Sequence, residues 1–211
     1  MLDEVQVITH SCIKITGEKT IYFDPFQLKA EPHDADIVFV THEHHDHYSP
    51  EDVRKVLKPE TMLVIPAVLA SKVRELGLAE VKITTVKAGD AVTVGGLPVT
   101  VVAAYNLTKQ FHPKAKGWVG YIVTLNQKRY YVSGDVDYNE AIAQVKCDVA
   151  IIPVGGTYTF NPQEAAEYIN QLKPQVAVPT HYGSLVGKKT DGDTFAKLVQ
   201  PPVKVVTKLE F

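Results

Sequence analysis

The chain has 211 residues, of which 45% are hydrophobic and 22% are charged, so it is long and apolar enough to bury a sizeable core. Its 22 lysines and arginines and 24 acidic residues give a formal net charge of -2, which argues against a dedicated nucleic-acid-binding protein. No apolar run is long enough to cross a bilayer, so we expect no membrane association.

The N-terminus and the cysteines indicate a cytoplasmic location. Residues 1–10, MLDEVQVITH, begin acidic and then alternate as a strand does, unlike a signal peptide. The cysteines are Cys12 and Cys147, and neither lies in a CxxC motif. Such a pair does not form a disulfide framework in a chain of this length, which favours a reducing compartment. The sequence indicates no particular oligomeric state.

The first part of the chain predicts short strands and two helices. Alternation and β-branching predict strands over residues 5–9, 12–16, 20–24, 36–41 and 62–66. Ser49 and Pro50 are typical of an N-cap and a first helical position, which predicts a helix that ends near Leu57. A second helix is predicted over 68–76 and is closed by Gly77.

The rest of the chain is first β-rich and then alternates between helices and strands. Strands are predicted over residues 81–86, 91–94, 97–105, 119–125, 129–135, 148–154, 175–181 and 203–208. Helices are predicted over residues 138–145, 162–172 and 191–199. Because no repeat or linker interrupts this order, we expect one α/β domain over residues 1–211, with two sheet-rich parts accompanied by helices.

Ligand-type side chains stand at the ends of three predicted strands. One strand runs into His42, a second ends on Asp135 and a third ends on His181. Strand ends in open sheets converge on one edge, and binding sites form in the crevice there. We therefore expect these three side chains to lie close together.

A histidine-rich loop follows the first of these strands and reads HEHHDH over residues 42–47. Imidazole nitrogen and carboxylate oxygen are good ligands for Zn2+ and also suit Mn2+ or Fe2+. His42 and His44 can face one ion, whereas Asp46 and His47 can face a second. A solvated polar turn is the alternative, because short motifs have false positives. The three strand ends favour a metal centre with up to two ions.

Several motifs follow this loop signature in a characteristic order. They are THSC at 9–12, YFDPF at 22–26, SGDVD at 133–137, PVGGTYT at 153–159 and PTHYGS at 179–184. Together they resemble the metallo-β-lactamase superfamily, in the branch that includes L-ascorbate-6-phosphate lactonase, N-acyl-phosphatidylethanolamine phospholipase D and many metal-dependent hydrolases. The resemblance covers nearly the whole chain and implies a four-layer αβ/βα sandwich, with the metals at one edge between the sheets.

The resemblance also implies roles for individual residues. A first metal would be bound by His42 and His44. A second metal would be bound by Asp46, His47 and His181. Asp135 would bridge the two metals. Asp24 would orient a ligand histidine. His10 would lie close to the site, with a partly buried structural histidine as the alternative.

The chain departs from the family pattern at Asn106, which stands where a further histidine is usual. His112 follows in the same loop. Either His112 completes the first metal site, or Asn106 leaves that site short of a ligand. We expect His112 to be the ligand, because imidazole binds such metals better than an amide does. His33 and His45 are expected at the surface.

Two close metal ions would lower the pKa of a shared water and thereby produce a nucleophile. Asp46 would then act as a catalytic residue that accepts a hydrogen bond from the nucleophile. His10, or a water, would give the leaving group its proton. This chemistry predicts a metal-dependent hydrolase.

Lysines on two loops next to these residues favour a small anionic substrate. They are Lys109, Lys114 and Lys116 on the His112 loop, and Lys188 and Lys189 after His181. We therefore expect hydrolysis of an anionic ester, such as a phosphodiester or a phosphorylated lactone. The alternatives are a lactonase or thioesterase acting on a neutral acyl substrate, and a non-catalytic metal-binding protein of the same fold.

Overall fold

In the computed structural model, residues 2–74 and 81–211 are described, and within them the chain forms two β-sheets and four α-helices. The first sheet contains six strands in chain order, β1 to β6: Val5–Thr9, Cys12–Ile15, Ile21–Phe23, Ala35–Phe39, Leu57–Pro66 and Lys82–Val86. Strands β3 to β6 of this sheet are parallel to one another.

The second sheet contains seven strands, in the spatial order β13, β12, β11, β10, β9, β8, β7. From β7 to β13 their bounds are Ala91–Val94, Leu97–Ala103, Val119–Leu125, Lys128–Val132, Val149–Pro153, Val176–Thr180 and Lys204–Val205. Strands β10 to β13 are parallel to one another. The helices α1 to α4 are Pro50–Val56, Ala70–Arg74, Pro162–Leu172 and Asp191–Leu198.

Alternation along β4 shows how the layers stack. Ile37 and Phe39 belong to the larger core, which also contains side chains of the second sheet and of α3 and α4. Val38 and the following Val40 belong to a second core, which contains the buried side chains of α1 and α2. A strand buried on both faces explains the continuous apolar run in the sequence. The expected α/β sandwich, with helices outside two sheets, is confirmed.

Helices α1 and α3 begin as their sequences predict. The Ser49 hydroxyl accepts a hydrogen bond from the Asp52 backbone N–H at 3.3 Å, and Pro50 is the first residue of α1. Asn161 and Glu164 form a capping box at the start of α3. Among the described residues, no helix is both long enough and apolar enough to cross a membrane.

Several predicted boundaries differ from the structure. The predicted helix over 138–145 is wrong, because the structure has only a short 3-10 turn there, Ile142–Gln144. The Asn139 side chain accepts hydrogen bonds from the Ala141 and Ile142 N–H groups and donates one to the Tyr105 carbonyl, so it ties this segment to a neighbouring loop.

Three other predicted elements also have different bounds in the structure. Strand β5 begins directly after α1 at Leu57, because Leu57 pairs with Ala35 and the Thr61 hydroxyl donates to the Ala35 carbonyl. The predicted helix over 68–76 is a 3-10 turn followed by α2, and its last two positions, with Gly77, lie outside the described residues. The strand predicted over 203–208 pairs only at Lys204–Val205.

Candidate metal centre

The loops after parallel strands carry most of the ligand-type side chains to one edge of the two sheets. The HEHHDH loop follows β4, and its turn is closed by hydrogen bonds from the His47 and Tyr48 N–H groups to the His44 carbonyl, at 2.9 and 2.8 Å. His181 follows β12 directly and is held by a bond from its N–H to the His10 carbonyl, at 3.0 Å. These placements agree with the strand-end argument.

Asp135 reaches the same edge from a loop rather than from a strand end. The predicted strand over 129–135 stops at Val132, and Gly134 then adopts a φ of 64°. A side chain at Gly134 would meet Thr41 Cβ at 3.0 Å and the Val119 carbonyl oxygen at 3.1 Å. Glycine therefore permits the turn that carries the Asp135 carboxylate between the histidines.

A first cluster consists of His42, His44, His112 and Asp135. One potential ligand atom from each residue lies within 4.8 Å of the other three. His42 Nε2 is 3.1 Å from His44 Nδ1, and His112 Nε2 is 3.2 Å from Asp135 Oδ2. The ring of Trp118 packs against His42 and His44, with centroids 4.9 and 4.7 Å away.

A second cluster lies beside the first and consists of His10, Asp46, His47, Asp135 and His181. Ligand atoms of His47, Asp135 and His181 lie within 4.8 Å of one another, as do those of His10, Asp46 and His181. His47 Nε2 is 3.1 Å from Asp135 Oδ1, and His181 Nε2 is 3.4 Å from Asp46 Oδ2. Asp135 belongs to both clusters.

The polar atoms of the clusters fit transition-metal ions. Buried atoms without a hydrogen-bond partner concentrate here, namely the Nε2 atoms of His10, His47, His112 and His181, with Asp135 Oδ1. Buried polar atoms are normally hydrogen-bonded, so such a concentration needs a further partner. A set of imidazole nitrogens and carboxylate oxygens suits Zn2+, Mn2+ or Fe2+ and does not single out one of them.

Asp24 supports the second cluster from behind. Its carboxylate is buried and accepts a hydrogen bond from His47 Nδ1 at 2.7 Å, and from the Thr41 backbone N–H and hydroxyl at 2.8 and 2.7 Å. Burial raises the pKa of Asp24, although His47 and Thr41 act in the opposite direction. This is the orienting position that the sequence led us to expect.

The charges within the centre compensate one another. Burial acts to lower the pKa of His47, but the Asp135 and Asp24 carboxylates outweigh it and hold that pKa well above its usual value. Burial acts to raise the pKa of Asp135, but His181 and His47 hold it well below its usual value. A proton on His47 therefore balances the two carboxylates, and a metal ion binding at Nε2 would have to displace that proton.

His10 lies in the second cluster rather than apart from it. Its side chain is buried, and its Nε2 is 3.3 Å from Asp46 Oδ2 while its Nδ1 is 3.2 Å from the Ser184 hydroxyl. Burial lowers the pKa of His10 to about 4, although Asp46 acts against this. The ring is therefore neutral at pH 7. His10 directly follows β1, so it carries the strand-end signal that pointed to His42 and His181.

Asn106 and His112 occupy different positions. His112 is buried and faces Asp135 with Nε2, whereas Asn106 Nδ2 lies 3.4 Å from the other ring nitrogen, His112 Nδ1. The same amide donates to the Tyr158 carbonyl at 2.6 Å, and the Asn106 backbone N–H donates to the His112 carbonyl at 2.8 Å. The structure thus brings His112 into the first cluster and puts Asn106 behind its ring.

A cavity of about 370 Å³ opens onto the two clusters. It is lined by His44, His45, Asp46, Phe111, His112, Asp135, Tyr158, Leu185 and Val186. His45 and His33 are both largely exposed, as expected, but His45 also lines this cavity. The apolar lining residues lie on loops and carried no periodic signal in the sequence.

The lysines on the neighbouring loops lie outside the described lining of this cavity. Three of them contact carboxylates: Lys109 is 2.9 Å from Glu164, Lys114 is 3.0 Å from Glu140 and Lys116 is 3.7 Å from Glu43. Lys189 lies over the ring of Phe211, 5.4 Å from its centroid.

Comparison with known proteins now identifies the family. The model of the beta-lactamase superfamily domain matches residues 4–181. The chain belongs to the metallo-β-lactamase superfamily. A UPF0173 metal-dependent hydrolase of Pyrococcus abyssi is 30% identical over 221 residues, which cover 96% of this chain and 95% of the relative. One from Thermoplasma acidophilum is 29% identical over 201 residues, covering 90% and 87%.

Two solved structures are similar to this chain over nearly its whole length. A candidate metal-dependent hydrolase of Parabacteroides distasonis has a TM-score of 0.79 and 27% identity, with 98% of this chain and 93% of that chain covered. Igni18, a metallo hydrolase of Ignicoccus hospitalis, has a TM-score of 0.77 and 21% identity, with 98% and 95% covered, which shows the fold. These relatives support a metal-dependent hydrolase and do not assign the chain to the lactonase or phospholipase branch.

Proposed function

We propose that this protein hydrolyses an ester at a centre of two metal ions held by the two clusters. The position of Asp135 carries the proposal. Its Oδ2 lies 3.2 Å from His112 Nε2 and 3.3 Å from His181 Nε2, and its Oδ1 lies 3.1 Å from His47 Nε2. One buried carboxylate therefore contacts histidines of both clusters, as a bridging ligand must.

The proposed ligands follow from the clusters. His42, His44 and His112 would hold one ion, Asp46, His47 and His181 the other, and Asp135 both. We propose Zn2+ as the ion, with Mn2+ or Fe2+ as alternatives that the same ligand types suit. When bound, the ions would lower the pKa of a water and offset negative charge that develops on the substrate oxygen.

Asp46 is the proposed catalytic carboxylate. It lines the cavity, and its Oδ2 is 3.3 Å from His10 Nε2. Burial acts to raise the pKa of Asp46, but the adjacent imidazoles of His10 and His181 hold it below its usual value. Asp46 is therefore ionised at neutral pH and can accept a hydrogen bond from the attacking water.

His10 is the proposed partner of Asp46 in proton transfer. Since its ring is neutral, it can take up the proton that the water loses and then give it to the leaving oxygen. The water oxygen bonds to the carbonyl carbon or phosphorus, the ester bond to the leaving oxygen breaks, and that oxygen receives the proton. No other co-reactant is needed.

Two ester classes fit such a centre. An anionic ester, such as a phosphodiester or phosphorylated lactone, is supported by the lysines on the loops around it. A neutral acyl ester or lactone is supported by the apolar part of the cavity wall. A non-catalytic metal-binding protein remains a separate outcome for experiment.

Elemental analysis of metal-reconstituted protein tests the proposal, together with ester hydrolysis before and after chelation. We expect up to two ions per chain, and hydrolysis that chelation abolishes and metal restores. The Asp135→Asn variant should lose both metal binding and hydrolysis. The Asp34→Asn variant changes a carboxylate that pairs with Lys14 away from the clusters, and it should retain both properties. Protein that binds no metal would refute the centre. Full metal content without turnover of acyl or phosphate esters would indicate the non-catalytic alternative.

A further inference from the structure

We propose that the apolar part of the cavity wall binds an aliphatic acyl chain, so that the substrate is a neutral ester or lactone of a short to medium fatty acid. The inference rests on the proposed ester hydrolysis and specifies its substrate class. The wall consists of Phe111, Tyr158, Leu185 and Val186, and we call it the acyl wall.

The acyl wall and the clusters share one cavity. His44, Asp46, His112 and Asp135 line it together with the acyl wall, so a substrate bound there meets both. An acyl group on the wall can therefore have its carbonyl carbon at the proposed centre. The cavity volume of about 370 Å³ lies near the lower end of the roughly 300–1,000 Å³ found for ligand pockets, which limits the substrate to a small molecule.

The large apolar side chains of the wall are accessible to a ligand. Phe111 is 45% exposed and Leu185 is 48% exposed. The ring of Phe111 packs edge-on against that of Tyr158, with 4.6 Å between their centroids. Exposed apolar groups at the mouth of a cavity with converging polar groups are typical of a ligand site.

The charges around the cavity favour a neutral chain. Of the described residues that line it, none is lysine or arginine, and the carboxylates of Asp46 and Asp135 would be neutralised by the proposed metal ions. Lys114, which we expected to attract anions, contacts Glu140 in another part of the surface. An anionic substituent on the chain would find no cationic side chain in the described lining.

Three residues of the acyl wall lie next to groups that adjoin the clusters. Phe111 immediately precedes His112, and the Tyr158 carbonyl accepts a hydrogen bond from the Asn106 amide behind the His112 ring. Leu185 follows Ser184, whose hydroxyl lies 3.2 Å from His10 Nδ1. These connections place the wall next to the proposed reacting centre, where it can contact the acyl chain of a substrate.

The test compares p-nitrophenyl acetate, butyrate, hexanoate and octanoate with bis(p-nitrophenyl) phosphate, using the metal-loaded protein. We expect kcat/KM to rise by about fourfold for each added methylene, which corresponds to ~0.8 kcal/mol, until the cavity is full. Leu185→Ala and Phe111→Ala should flatten this dependence. Leu198→Ala removes a leucine that is 42% exposed on α4, away from the described lining, and should preserve it.

Calorimetry with acetohydroxamate, hexanohydroxamate and octanohydroxamate supplies a readout independent of turnover. Their affinity should rise with chain length in the wild type and in Leu198→Ala, and should be nearly flat in Leu185→Ala. A flat chain-length series in the wild type, or faster turnover of the phosphate diester, would overturn the acyl wall and leave ester hydrolysis standing. Metal-loaded protein that hydrolyses none of the esters would instead refute the proposed function itself.

Discussion

The replacement Asp24→Asn tests the proposed second metal site without touching a ligand. The Asn carbonyl can keep the bond from the Thr41 N–H, which is 2.8 Å long. The other carboxylate oxygen, however, becomes an NH2 group that faces His47 Nδ1, from which it is 2.7 Å in the wild type. His47 Nδ1 must then accept a hydrogen bond, so a neutral ring carries its proton on Nε2, the atom that faces Asp135.

A protonated Nε2 cannot bind a metal, which sets the expected magnitude. Loss of such an orienting partner typically weakens metal binding about 10- to 100-fold, or by ~1.4–2.8 kcal/mol. In the metal-free protein, a charge-assisted hydrogen bond becomes a neutral one, at a cost of at most about 1.5–3 kcal/mol. For a chain of this size that lowers Tm by roughly 3–12 °C, so the variant should still fold.

Competition with a chelating zinc indicator measures the affinity, and circular dichroism measures Tm. Asp34→Asn is the control, because Asp34 also accepts two side-chain hydrogen bonds, from Lys14 at 2.6 Å and Tyr22 at 2.8 Å, but lies outside the clusters. We expect weaker zinc binding in Asp24→Asn alone. Equal zinc affinity in Asp24→Asn and the wild type would refute the assignment of His47 as an Nε2 ligand.

Three further predictions concern the clusters and the thiols. The His181→Ala variant should still fold, because the 3.0 Å hydrogen bond from its backbone N–H to the His10 carbonyl remains. Its kcat/KM should decrease at least about tenfold. Full activity with full metal content would exclude His181 as a ligand. His112→Ala should lower zinc occupancy in elemental analysis more than Asn106→Ala does, and the opposite order would contradict the first cluster. Burial raises the pKa of both Cys12 and Cys147 to about 12, so the thiols stay protonated at pH 8. They should therefore resist iodoacetamide until the protein unfolds. Rapid alkylation of the folded protein would contradict the buried position of these two thiols.

The sequence by itself determined the features that depend on neighbouring residues. Ser49 and Pro50 specify the start of α1 locally, and the apolar run before His42 specifies a strand buried on both faces. The local turn of the HEHHDH loop is sufficient to bring its ligand-type side chains together. His181 at the end of β12 followed from the convergence of parallel strands.

Only the tertiary structure shows that His112 faces Asp135 while Asn106 lies behind the His112 ring. Both lie in a loop without periodicity, and their arrangement depends on the backbone bond between them and on the Tyr158 carbonyl, which comes from a distant part of the chain. The pairing of His10 with Asp46 likewise depends on the loops after β1 and β4, which come together only when the strands of the first sheet pair. Side-chain contacts of this kind are invisible in local patterns.

The tertiary structure also decided which charges reach the cavity. Lys109 and Lys114 lie on the expected loop, yet each contacts a glutamate, Glu164 or Glu140. A lysine side chain is long and flexible, so its position in the sequence does not fix where its charge lies. Which groups line a cavity depends on how loops from different strands pack together, and here that packing brings Leu185 rather than a lysine to the described wall.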